Sequence, residues 1–251
     1  VVAAACAARL AAIESMITPV VPRKVLLLAA GKGERLQPLT LTTPKPLIPI
    51  GGVPLIVWHL RRLAKAGVTE VAINLSWLHE QIIAALGDGR AFNLKITYFY
   101  EGPTPLETAG AIINALDYFE GQPFGLISAD IFAPLLPPPP PPPGIYANLW
   151  LVDNPEHHPK GDFGLDGIEC RRSGERRLTF SGVATLRPEA FLGQTVHAQP
   201  LRPFFERWLG QGRLWGQHFG GYWTDVGTPS RLEGCERWVQ RTLQKGYSPD
   251  L

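Results

Sequence analysis

With 251 residues, 45% of them hydrophobic and 18% charged, the chain is long enough to bury one full-sized core, which excludes a short disulfide-stapled module. A formal net charge of +2 lacks the basic excess that drives sequence-independent binding to nucleic acid or to an anionic membrane, so small-molecule partners are expected. Three cysteines, Cys6, Cys170 and Cys235, are an odd number, which argues against a disulfide framework and for a reducing compartment, the cytoplasm.

Residues 1–21 are alanine-rich and end just before the first buried-strand pattern, so they are expected to form an extension outside the core. They make a poor secretory signal, because no basic residue precedes the apolar stretch and Arg9 interrupts it. The stretch is also too short to span a membrane. Met16, the one methionine, is the expected natural start.

From Lys24 onward, apolar strand-like runs alternate with helical periodicity, as in βαβ units whose sheet is covered on both faces. Strands are predicted over 25–30, 71–75, 94–100 and 124–128, and helices over 54–66, 78–86 and 108–116, with Gly67 and Gly87 as C-terminal stops. The seven prolines of 137–143 break the pattern. Each lacks an N–H and fixes φ, so the run is predicted to be an extended polyproline segment on the surface, outside the core and dispensable for folding. Further strands are predicted over 146–152, around 164–170, over 180–186 and near 214–218, with short helices after Pro188 and Pro203. Ser230 is the expected cap of a closing helix running to about Leu243, with Leu232, Trp238 and Val239 on its apolar side. The expected fold is a single Rossmann-like α/β domain over 22–251, with a mostly parallel central mixed sheet flanked by helices.

The first strand runs into Leu28-Ala29-Ala30-Gly31-Lys32-Gly33-Glu34-Arg35-Leu36, and Lys45 follows within Pro44-Lys45-Pro46. Gly31 and Gly33 let backbone N–H groups wrap a polyphosphate, while Arg35 and Lys45 neutralise it. A Walker loop is excluded because no Ser or Thr follows the Gly-Lys pair. A dinucleotide fingerprint lacks its third glycine, and Asn74 stands where an acid would end the second strand. Adjacent His157 and His158 have no third ligand at useful spacing and read as loop, not metal site.

The segment 28–36, followed by Thr43-Pro44-Lys45-Pro46-Leu47-Ile48-Pro49-Ile50, resembles the signature of the sugar-1-phosphate nucleotidyltransferases, and the likeness extends over nearly all of 24–243. Asn74 with Trp77, the stretch from Glu101 to Gly110, and the segments 152–158 and 223–228 bring it nearest to members that transfer a uridylyl group to a cell-wall sugar 1-phosphate. The resemblance implies UTP and a sugar 1-phosphate as substrates and pyrophosphate as a product. It implies Arg35 and Lys45 as catalytic cations, and Ala29, Ala30, Gly31, Lys32, Gly33, Asn74, Glu107 and Gly110 around the nucleotide. It implies a catalytic Mg²⁺ on Asp130 and Asp225, and a sugar-phosphate site at Asp153, Asn154, Asp162 and the turn holding Ser181 and Gly182. Two departures stand out. Ser128-Ala129-Asp130 has Ala where the family commonly has Gly, and the added methyl is expected to approach the ligand. Lys160-Gly161-Asp162-Phe163 replaces the Glu-Lys pair that many relatives place by the sugar. A different sugar 1-phosphate or base, such as mannose 1-phosphate with GTP, stays open, as does a non-catalytic regulator that binds nucleotide sugars. The oligomeric state, monomer or small homo-oligomer, is also open.

Overall fold

The computed structural model describes residues 21–174 and 176–246, so Met16, Cys6 and residues 1–20 of the expected 1–21 extension lie outside the described residues, while its last residue, Val21, packs against the core. In chain order the strands are β1 (Lys24–Leu28), β2 (Pro49–Ile50), β3 (Val53–Pro54), β4 (Glu70–Leu75), β5 (Lys95–Tyr100), β6 (Phe124–Ser128), β7 (Ile131–Phe132), β8 (Ala147–Val152), β9 (Phe163–Asp166), β10 (Glu169–Arg171), β11 (Arg177–Leu186), β12 (Leu214–Phe219) and β13 (Thr224–Asp225). The α-helices are α1 (Leu55–Lys65), α2 (His79–Leu86), α3 (Glu107–Asn114), α4 (Arg202–Gly210) and α5 (Pro229–Gln244). Among the described residues no helix is long and apolar enough to cross a membrane.

One nine-stranded sheet has the order β5-β4-β1-β6-β11-β8-β12-β10-β9. The first four run parallel, with Leu26 opposite both Ala72 and Leu126. Each is an apolar run whose crossover, α1, α2 or α3, lays a helix on the sheet. Beyond β6 the pairing turns antiparallel through β11 and β8, and β12 returns parallel to β8. Because β4 and β5 lie on one side of β1 and β6 on the other, a crevice opens at the C-terminal ends of β1 and β6, at Leu28 and Ser128.

Alternation along β1 sorts the core into two layers. Leu26 lies in the layer of Ile112 of α3 and Phe204, Phe205 and Trp208 of α4, whereas Val25 and Leu27 lie in that of Ile56, Leu60 and Leu63 of α1 and Ile82 of α2. A third, smaller cluster of Ile50, Leu55, Trp58, Phe132, Val226, Cys235 and Val239 clamps α5 against β7 and β13.

Three local predictions are corrected. The strand expected around 164–170 is the hairpin β9–β10, turned at Gly167 with φ +59. The turn expected at Ser181 and Gly182 is a bulge inside the continuous β11: Phe180 opposes Leu151 while Ala184 opposes Leu149, and Gly182 sits at φ +83. The cap of α5 is Thr228, extended at φ −142 with its hydroxyl accepting from the Arg231 N–H, and Ser230 lies inside the first turn.

The proline run departs most from its prediction. Pro137, Pro138 and Pro141 are buried while Pro139, Pro142 and Pro143 are exposed, close to the alternation that three residues per turn gives when one edge lies on a surface. That surface is the sheet. The Pro137 ring fills the space beside Gly125 of β6, where a Cβ would come within 2.6 Å of it. Side chains standing on β8 and β11 donate to the run's carbonyls: Thr185 to Pro138, and Asn148 to Pro139 at 3.0 Å. Just past the end of β11, Arg187 Nε and Nη2 reach Pro141 at 2.9 and 2.6 Å. A proline segment can cover a sheet in this way because it buries no unpaired N–H, a cost any other extended segment would carry. Exchanging 137–143 for a Gly/Ser segment of equal length is therefore expected to destabilise the fold, by about 0.4–1 kcal/mol of chain entropy per proline plus the lost packing. Tm should fall by on the order of 10 °C, and an unchanged melting curve would show that this packing contributes nothing.

Candidate active site

A cavity of about 730 Å³ opens at the crevice, lined by residues 28–35 and by Lys45, Asn74, Glu101, Glu107, Thr108, Ser128 and Asp130 among others. Here β1 leads into a tight 3-10 turn, Glu34–Leu36, where a dinucleotide fold would begin a long helix; Leu36 N–H closes it on Gly33 O at 2.9 Å. Gly33 is at φ +66, and a Cβ there would lie 2.9 Å from Thr40 Cγ2 and 3.2 Å from Lys45 Cβ. Glycine is thus required by the backbone and by the approach of the Lys45 stem. Thr40 Oγ1 donates to Gly33 O at 2.8 Å and Trp77 Nε1 to Thr40 O at 3.0 Å, bracing the loop from outside.

Asn74, Glu101 and Leu106 form a second brace. Asn74 Oδ1 accepts from the Ala29 N–H at 2.7 Å, its Nδ2 donates to Glu101 Oε1 at 2.9 Å, and Glu101 Oε2 accepts from the Leu106 N–H at 2.8 Å. Burial pushes the Glu101 carboxyl above its ordinary range, against the pull of these two hydrogen bonds. Asn74 and the Ala29 N–H are therefore occupied in shaping the wall, and Glu101, which sequence reasoning did not single out, connects the two. Glu107 stands on the same wall at φ +59, a conformation few side chains adopt. Gly110 is absent from the cavity. A Cβ on it would come within 2.3 Å of His197 O, and Ala109 and Gly110 N–H groups donate to Gln199 O at 3.0 and 3.2 Å. Its glycine lets the chain at 197–199 approach α3, a packing reason for glycine at this position.

The two aspartates meet through β7 and β13, which pair with Asp225 opposite Ile131, and the Val226 N–H donates to Asp130 O at 2.8 Å. Helix α1 pins β7 from behind: His59 Nε2 donates to Ile131 O at 2.9 Å and Arg62 Nη1 to Ala133 O at 2.6 Å. Burial, and then neighbouring Arg62, push the His59 pKa down to about 3, so its imidazole stays neutral with Nε2–H as the donor. Lys45, 7% exposed, places Nζ 2.6 Å from Asp130 Oδ2. Arg231 Nη1 lies 2.6 Å from Asp225 Oδ1, His157 Nε2 3.4 Å from the same oxygen, and Arg35 Nη2 4.0 Å from Oδ2. Gly227 makes room for both guanidinium groups, since a Cβ there would lie 2.5 Å from Arg231 Nη2 and 2.9 Å from Arg35 Nη2.

This donor set fits Mg²⁺. Two carboxylates each already draw a cation, and Mg²⁺ takes one or two carboxylates and completes its shell with phosphate and water. Among the described residues no group of three or more His, Cys, Asp or Glu side chains is placed to hold a metal ion, so the protein offers no closed cage. Ala129 is fully buried in the layer of Leu27 and Ile127. Its methyl packs into the core and lines neither cavity, whereas it was expected to approach the ligand.

A second cavity of about 540 Å³ shares Thr108, Ser128 and Asp130 with the first and continues past His157, Asp162, Phe180, Ser181, Gly182 and Asp225. The β11 bulge brings Ser181 and Gly182 to its wall, where Trp223 Nε1 donates to Ser181 O at 2.9 Å. Asp162 Oδ2 accepts from the Phe180 N–H at 2.9 Å. Asp153 and Asn154 do not line this cavity. Asp153 is taken by Arg176 and by His218 Nε2 at 2.8 Å. Asn154 closes its own loop, donating to Pro159 O and Arg177 O at 3.1 and 3.0 Å while its Oδ1 accepts from Thr179 at 2.8 Å. Local partners hold Asn154 at both ends of its amide and Asp153 at Oδ1 alone, so in this structure both side chains face their own loops and not the second cavity.

Comparisons with known proteins agree with this geometry. Residues 24–135 match the model of the nucleotidyl transferase family. The chain is 46% identical over 223 residues to the N-acetylmuramate alpha-1-phosphate uridylyltransferase of Neisseria meningitidis, covering 85% of this chain and 96% of that protein. It is 38% identical over 230 residues to the mannose-1-phosphate guanyltransferase of Schizosaccharomyces pombe, covering 82% of this chain and 61% of that longer protein. Its fold is similar to that of the inositol-1-phosphate CTP transferase from T. maritima, with a TM-score of 0.70 over 92% of this chain and 99% of that one at 17% identity.

Proposed function

This chain belongs to the sugar-1-phosphate nucleotidyltransferases, and within that family we propose that it transfers a uridylyl group from UTP to N-acetylmuramate α-1-phosphate, giving UDP-N-acetylmuramate and pyrophosphate. The observation that carries this reading is the junction of the two cavities: Thr108, Ser128 and Asp130 line both. A triphosphate in one and a sugar phosphate in the other meet there beside the paired aspartates. An oxygen of the sugar phosphate attacks the α-phosphorus in line, the bond to the bridging oxygen of the departing pyrophosphate breaks, and its electron pair leaves with that oxygen.

Positioning and charge do most of the work in such a transfer. Lys45, held by burial, supplies fixed charge at the transferring phosphorus. Arg35, 64% exposed at its side chain, is free to close over the leaving pyrophosphate. Ala30, Gly31, Lys32 and Gly33 frame the phosphates, Ala29 and Glu107 stand by the nucleoside, and Asp162, Ser181 and Gly182 stand by the sugar. Asp130 and Asp225 would hold Mg²⁺, which neutralises phosphate charge when bound. We place the reaction in the cytoplasm, in the recycling of peptidoglycan sugars. The described thiols, Cys170 and Cys235, are free and buried, with burial pushing both up to about 12, as a reducing compartment permits.

Pyrophosphate release measured over a grid of four nucleoside triphosphates and several sugar 1-phosphates tests the reading. UTP with N-acetylmuramate 1-phosphate is expected to give the highest kcat/KM, by about tenfold or more, a margin that polar recognition supports. Faster turnover of GTP with mannose 1-phosphate would overturn it.

A further inference from the structure

The second cavity ends away from the reacting phosphorus in a cluster that the transfer chemistry does not use. Asp162, 17% exposed at its side chain, has Oδ1 3.2 Å from both His158 Nε2 and Arg202 Nη1. Neighbouring His157 and His158 diverge, one to Asp225 and the other to Asp162; His158, Asp162 and Arg202 line the second cavity alone, whereas Asp130 belongs to both cavities. The phosphate of the substrate belongs beside Asp130 and Asp225, where the first cavity joins. Phe163, Phe180, Leu201 and Phe205, on the wall of the same cavity, are suited to a ring face and an acetyl methyl, not to a charge.

Muramate differs from N-acetylglucosamine by a lactyl ether that carries a second anion. Among the described residues, Arg202 is the one Arg or Lys side chain lining this cavity. It donates one hydrogen bond, Nη1 to Asp162 Oδ1 at 3.2 Å, lies 3.9 Å from Glu206 Oε1 and is 62% exposed, which leaves most of its forked donors for a ligand. Arg202 also opens α4, where the helix dipole disfavours a cation and favours an incoming anion. We propose that Arg202, with His158 beside it, binds the lactyl carboxylate and sets the preference for muramate over N-acetylglucosamine 1-phosphate. This assignment rests on the uridylyl transfer to muramate proposed above.

The test is the ratio of kcat/KM for N-acetylmuramate 1-phosphate over N-acetylglucosamine 1-phosphate, in the wild type, Arg202→Ala and Arg202→Lys. Loss of a charge-assisted, two-point contact is expected to lower that ratio about 10- to 100-fold in Arg202→Ala, chiefly through KM, and by less in Arg202→Lys. A muramate substrate whose lactyl carboxylate is amidated should lose a similar factor with the wild type, a readout that needs no variant to fold. Arg202→Ala should treat acid and amide alike. Equal losses on both sugars, an unchanged ratio, or a wild type indifferent to amidation would overturn the assignment while leaving uridylyl transfer standing. A wild type that does not prefer muramate at all would overturn the functional reading and this inference with it.

Discussion

Asp225→Asn is expected to lower kcat for pyrophosphate release about 10²- to 10³-fold and to raise the divalent-ion concentration needed for half-maximal rate, with Tm shifting by only a few degrees. The amide keeps the shape of the side chain and removes its charge. Arg35, largely exposed at 64%, loses little by this; Arg231 keeps Thr228 Oγ1 as a partner for its Nε at 3.3 Å, so the fold should hold. What disappears is an anionic oxygen where a divalent cation would share phosphate oxygens. Binding of Mn²⁺, followed without turnover, should weaken in parallel. Asp130→Asn should lose rate to a similar degree and, in addition, cost about 1–3 kcal/mol of stability, because buried Lys45 loses its only acidic partner among the described residues. A variant at either position with near wild-type rate and an unchanged metal requirement would refute the assignment.

Much of this site was legible because its parts are sequence-local. The strand, the glycines, Arg35 and Lys45 fall within 24–47, and the apolar run over 25–30 with a glycine turn behind it can hardly fold otherwise than as a central strand opening on a phosphate loop. Asp130 and Asp225 could be paired only through the family likeness, since their juxtaposition depends on β7 and β13, two-residue strands with no periodicity to read. Arg231 left a faint signal. It is a cation in the first turn of α5, where the helix dipole prefers anions, and its reason for being there is Asp225. His59 and Arg62 gave no usable signal, because a polar pair on a helix reads as an exposed face, whereas both are buried and hold backbone carbonyls of 131–133.

Local contacts were not legible. Asp153, Asn154 and Gly110 have residue types suited to a ligand, but composition cannot show which neighbours hold them or occupy the space beside them. The proline run failed for the complementary reason. Lack of an N–H rules a segment out of a ladder, yet the same lack lets it lie on a buried sheet face without an unpaired donor. Its carbonyls meet Asn148, Thr185 and Arg187, residues whose partners cannot be told from the sequence.

Lys45→Ala is expected to lower kcat about 10²- to 10³-fold while the KM for UTP changes by less than about tenfold. Lys45 lies in the 3-10 turn Lys45–Leu47 between two prolines, with its stem under Gly33 and its ammonium on Asp130. That ammonium is therefore ordered before any substrate arrives. Ground-state binding of a triphosphate is shared with Lys32, Arg35 and the glycine loop, so losing one fixed charge should be felt most where negative charge shifts during transfer. Lys45→Arg should not restore the rate. The space between Gly33, Thr40 and Asp130 fits a narrow stem and a point charge, and a planar guanidinium would have to displace Thr40 or the loop. Arg35→Ala should also act mainly on kcat but more weakly, roughly tenfold, since this exposed side chain must be ordered on each turnover and gives back part of its gain. Steady-state kinetics of the three variants decide the matter. An effect of Lys45→Ala confined to KM would make Lys45 a binding residue, and full rescue by Lys45→Arg would show that charge without geometry suffices.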